Sequence, residues 1–141
     1  MRVLLLLTVL CTLTAEEPSK GELLYRGRAP LKARMAGSED DLAPIAARCS
    51  NCHGPAGRGL AEAGVKAVDV RGATLTKLEP RRGGPPVAYT LESFRTALRA
   101  GHDPAGVILA RAMPRYEISD SDSAALWQFL LALNEPAARP K

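Results

Sequence analysis

The first hydrophobic segment runs from Val3 to Leu13, broken only by Thr8 and Thr12, and lies between Arg2 and the polar stretch Thr14-Ala15-Glu16-Glu17. A positive residue, a short apolar run and a small residue before polar sequence form the pattern of a secretory signal. A bilayer-spanning helix needs about 20 apolar residues. We therefore expect residues 1–15 to be a signal peptide and residues 16–141 to be a single domain, a common size for one compact unit. Only an uncleaved signal would give the chain a membrane association.

Further along, apolar residues recur at helical spacing in two places. Leu91, Phe94 and Leu98 share one face behind Thr90, a suitable cap, with Glu92 in the first turn and Gly101 as terminator. Ala125, Leu126, Phe129, Leu130 and Leu133 follow the capping sequence Ser119-Asp-Ser-Asp122, predicting a terminal helix from Asp120 to Leu133. A short helical turn is expected over Gly21 to Gly27. A third helix should start at Pro44, whose missing N–H is tolerated at the first helical position, and continue through Ile45 to His53 until Gly54-Pro55. A further helical turn is expected over Val107 to Ala112.

Arg28 to Asp41, Ala56 to Gly72 and Arg81 to Pro86 carry the breakers of loops. Nowhere does the chain alternate polar and apolar residues as a strand does. The predicted fold class is therefore all-α, a small helical domain with long loops.

Composition adds one tension. Aromatic residues are only 4% of the chain, so the side chains that usually dominate a core are scarce and a bound group is expected to complete it. The formal charge of +4 comes without a basic run, which favours an acidic protein surface as partner over nucleic acid, DNA included. Once Cys11 leaves with the signal, Cys49 and Cys52 remain, and no disulfide framework is possible.

Those two cysteines belong to Cys49-Ser-Asn-Cys52-His53, the attachment sequence for c-type haem. Thiols three positions apart on a helix can form thioethers to two vinyl groups on one porphyrin edge, and the adjacent imidazole can approach the iron from one side. A zinc cage would have to be built from Cys49, Cys52, His53 and His102, with two of its ligands adjacent in sequence. A dithiol redox pair would normally sit in a βαβ unit, which is missing from the pattern. For a second axial ligand the candidates are Met113, His102 and Met35. Met113 stands on an irregular segment before Pro114, which stiffens the chain, and this context favours it. His102 sits in a turn after a helix, and Met35 lies among charged and small residues. Arg81 and Arg82 are candidates to pair with haem propionates.

Taken together, Cys49-Ser-Asn-Cys-His-Gly-Pro-Ala-Gly-Arg-Gly59, Met113-Pro-Arg-Tyr116 and the capped terminal helix resemble the class I c-type cytochromes over roughly residues 21–133. The resemblance implies one covalent haem c, thioether attachment at Cys49 and Cys52, proximal ligation by His53 and distal ligation by Met113. It also implies that the first and last helices meet beside the haem. Two departures stand out: Arg28 to Ala43 intervenes where the family's first helix usually runs straight to the haem cysteines, and Val68-Asp69-Val70 has no proline to orient the proximal histidine through its carbonyl.

The expected function is that of an exported, periplasmic electron carrier, not an enzyme, passing single electrons between a redox donor and acceptor. The alternative is a haem enzyme or gas-binding sensor with an open distal site.

Overall fold

The structure, a computed structural model, describes residues 17–62 and 64–133. The expected signal and the residue 15/16 domain boundary lie outside them.

Helix α1 (Lys20–Tyr25) begins where the Ser19 hydroxyl accepts the Glu22 amide at 3.2 Å. It buries Leu24 and Tyr25 against helix α5 (Asp120–Ala132), which is capped by the Ser119 hydroxyl on the Asp122 amide. The contact depends on Gly21, where a Cβ would lie 2.1 Å from the Ala125 carbonyl oxygen and 2.6 Å from Cβ of Phe129. Absence of a side chain lets the two backbones approach, and the Tyr25 and Phe129 rings then pack with centroids 5.3 Å apart.

Helix α4 (Leu91–Ala100) follows the sequence pattern closely. Thr90 and Ser93 cap it reciprocally, and Gly101 ends it in the left-handed region at φ 72°. Phe94 and Leu98 enter the core, Phe94 packing 5.2 Å from Trp127 of α5. Arg99 ties the two helices by donating to the Ile118 carbonyl and to Asp120. A four-residue helix, α3 (Gly72–Leu75), rests on α5 through Gly72, where a Cβ would be 2.6 Å from Cα of Leu131.

The all-α expectation is corrected by three small antiparallel pairs among the described residues. Strand β1 (Lys32–Arg34) pairs with β6 (Arg115–Glu117), β2 (Ala61–Glu62) with β3 (Val65–Lys66), and β4 (Glu79–Pro80) with β5 (Pro86–Val87). With 33% helix and 14% strand among the described residues, the fold is not plainly all-α. The strands escape a pattern search because each spans two or three residues, too few for a period of two to register. In β1 and β6 only the central residues, Ala33 and Tyr116, point inward, and they face each other.

Two helix predictions are also corrected. Pro44 to Ala47 forms a turn, Arg48 is extended at ψ 128°, and helix α2 is confined to Cys49–His53. The Ala47 carbonyl accepts the Tyr116 hydroxyl at 3.1 Å, a tertiary bond that replaces the helical one. Val107 to Ala112 forms turns and a bridge between His102 and Ile108 in place of a helical turn. Arg28 to Asp41, expected as loop, supplies β1 and so helps to separate α1 from α2.

Candidate cofactor-attachment site

Helix α2 carries both thiols and the imidazole. Its helical spacing puts Cys49 and Cys52 on one face, and both are free thiols, Cys49 partly buried and Cys52 exposed. The helix is held at both ends by tyrosines. Tyr116 reaches the Ala47 carbonyl before it, and Tyr25 donates to the Gly54 carbonyl after it at 2.6 Å. Its terminal carbonyls, which no short helix can satisfy internally, are taken by loop amides: Gly59 N–H donates to His53 and Leu60 N–H to Cys52, each at 2.9 Å.

His53 is 8% exposed. Its Nδ1–H donates to the Val68 carbonyl at 2.8 Å, so the lone pair lies on Nε2. Burial lowers its pKa, partly opposed by the bond to Val68. The imidazole is thereby held neutral in one tautomer, the form that binds a metal. Burial pushes the Cys49 thiol up to about 11. The Tyr116 hydroxyl is itself raised, chiefly by desolvation.

Met113 occupies a bend just before β6 and is packed, partly buried, against the same core cluster as Cys49. Three positions on, Tyr116 connects this segment to the haem motif. The rival candidates stand on other segments, Met35 just after β1 and His102 just after α4. Met35 lines a cavity of about 480 Å³ beside β1 and β6, with Lys32, Arg34, Arg99 and Arg115. The backbone of His102 bridges Ile108. Arg81 is occupied elsewhere, donating to the Thr74, Leu75 and Lys77 carbonyls and stacking over Tyr89.

Several features fit a haem. The motif offers two free thiols and a neutral, oriented imidazole. Apolar Ile45, Leu60 and Val68, at or near the motif in sequence, are 64%, 45% and 61% exposed, a surface that a flat macrocycle can cover. A zinc cage finds no counterpart, since the described residues contain no group of three or more His, Cys, Asp or Glu side chains suited to a metal. No helix among them is long and apolar enough to cross a membrane. Sequence reasoning missed the roles of Tyr25 and Tyr116, which left only a faint signal as polar aromatics flanking the motifs. The Val68-Asp69-Val70 stretch stood out for lacking a proline, yet the Val68 carbonyl takes the His53 bond without one.

A thiol pair and an oriented histidine on one short helix, braced by a pair of helices from the two ends of the chain, define a covalent haem-binding module. A family model described as Cytochrome c matches residues 43–134, and the chain belongs to the cytochrome c family. Searches of curated proteins and of solved structures gave no match. Membership makes the chain a haem-binding electron-transfer protein with covalent haem c, working between redox partners, in a family whose members are generally electron carriers.

Proposed function

We propose that the chain is an exported carrier whose haem is held by thioethers at Cys49 and Cys52 and ligated by His53 and Met113. The observation that carries this reading is the bond from His53 Nδ1 to the Val68 carbonyl, which leaves Nε2 free on a buried, neutral ring. Haem c supplies the one-electron couple. The residues of the chain orient and exclude: Val68 fixes the proximal ring, Pro114 stiffens the segment bearing Met113, and the α1, α4 and α5 core shields one side. Histidine and methionine together favour a higher potential than two histidines. The apolar run Val3 to Leu13 supports export to the periplasm, with residues 16–141 as the working domain. The positive charge supports partners with acidic docking surfaces.

The test is an optical spectrum of the exported holoprotein in both redox states, acid-acetone extraction, and carbon monoxide addition to the reduced form. The expected result is haem that resists extraction, a methionine-to-iron charge-transfer band and no carbon monoxide shift. Met113→Ala should abolish the band, lower the potential and admit carbon monoxide. An unchanged potential in that variant would remove Met113 from the ligand set, and carbon monoxide binding to the unaltered protein would favour the open-site sensor or enzyme.

A further inference from the structure

Arg34 of β1 lies directly opposite Arg115 of β6. Like charges in opposed positions destabilise a strand pair, and two residues along the same face Lys32 meets Glu117 at 3.0 Å, the complementary choice. Arg34 turns to Asp41 at 2.7 Å. Arg115 makes no ion pair among the described residues; its guanidinium donates to the Met113 carbonyl at 2.5 Å and to the Leu109 carbonyl at 3.4 Å.

The same guanidinium lies over the end of α4. A Cβ added to Gly101 would be 1.9 Å from Nε and 2.1 Å from Cζ, so only glycine leaves it room. The carbonyl end of a helix carries partial negative charge and favours a cation there. Gly101 also accepts the Leu109 amide at 2.7 Å, so cap, loop and arginine form one closed set of contacts.

We propose that Arg115 is a positioning residue for the distal ligand: by bridging the Met113 and Leu109 carbonyls over the α4 cap, it fixes the segment that presents the Met113 thioether. The inference rests on Met113 being that ligand. It also explains why a position facing Arg34 holds a second arginine. A planar fork with several donors can reach two carbonyls at once, which a lysine cannot do from one point charge.

The experiment uses the holoprotein and its Arg115→Gln, Arg115→Lys and Arg34→Gln variants, checked for covalent haem content. The readouts are the methionine charge-transfer band and the rate of carbon monoxide binding to the reduced form. Loss of charge-assisted bonds to carbonyls should raise the population with Met113 displaced by about tenfold or more in Arg115→Gln, with a matching rise in carbon monoxide rate and a weaker band. Arg115→Lys should fail to restore exclusion, and Arg34→Gln should match the unaltered protein. Wild-type behaviour in Arg115→Gln, or full restoration by lysine, overturns the proposal while leaving Met113 ligation standing. A missing band in the unaltered protein overturns both. If Arg115→Gln yields no holoprotein, Arg115→Lys decides: faster carbon monoxide binding supports the clamp and an unchanged rate overturns it.

Discussion

His53 donates from Nδ1 to the main-chain carbonyl of Val68, 15 positions further along, at 2.8 Å. Because the acceptor belongs to the backbone, the Val68 side chain, 61% exposed, is not needed for the bond. Val68→Ala should therefore keep the bond to His53 and disturb the potential only through lost apolar cover. Gly59→Ala should reach the backbone itself: Gly59 sits at φ 83°, and a Cβ there would be 2.1 Å from the Ala67 carbonyl oxygen. Backbone strain and the clash together should cost about 2–4 kcal/mol and disturb the proximal ring, measured by denaturant unfolding and by the potential.

The approach of α1 to α5 should be equally intolerant. Gly21→Ala forces a methyl into the Ala125 carbonyl and Phe129, and overpacking of this kind costs about 1–3 kcal/mol. A thermal midpoint equal to that of the unaltered protein would show that the helices have slack.

Tyr25→Phe and Tyr116→Phe keep the rings and remove one hydroxyl each. Tyr116→Phe leaves the Ala47 carbonyl without its partner, at a cost of about 1–3 kcal/mol, whereas Tyr25→Phe leaves the Gly54 carbonyl with the Gly57 amide alone, at a cost of about 1 kcal/mol. Both should lower the urea midpoint, and Tyr116→Phe should additionally alter the environment of the Cys49 sulfur.

Acid stability has a definite sign. A hydrogen bond from Arg99, helped by the charges of Arg95 and Arg99, holds the Asp120 carboxyl below its ordinary value of 3.8. The unfolded chain therefore takes up this proton first. The contribution is complete above pH 3.8 and disappears as the pH falls through the lower folded value. Asp41 is held down in the same sense by Arg34. Asp120→Asn should lower stability slightly at neutral pH and flatten the decline in acid, read from unfolding curves between about pH 6 and pH 2.

If net positive charge steers the encounter with an acidic partner, electron-transfer rates should fall steeply as salt rises. A flat profile would leave the docking surface to apolar contacts.

Much of this was legible along the chain, for reasons that differ by element. Helices α4 and α5 carry their own instructions in caps and apolar spacing: Thr90, Gly101 and Ser119 all act as their chemistry suggests. The haem motif is legible because its chemistry demands fixed residue types at fixed spacing. Helix α2 was overextended because its start is decided by Tyr116, a residue 69 positions away, which no local pattern encodes. Strands β1 and β6 stayed hidden for the same reason: their pairing joins distant segments, and three residues carry too little periodicity to announce it.

Helix α1 lies outside the residues matched by the family model, which begin at 43, yet Leu24 and Tyr25 are among the most buried side chains in the molecule. A fragment trimmed to that match would expose the face of α5 bearing Ala125 and Phe129 and would leave the Gly54 carbonyl without its tyrosine. The span over which kinship can be recognised is therefore shorter than the span that must fold together.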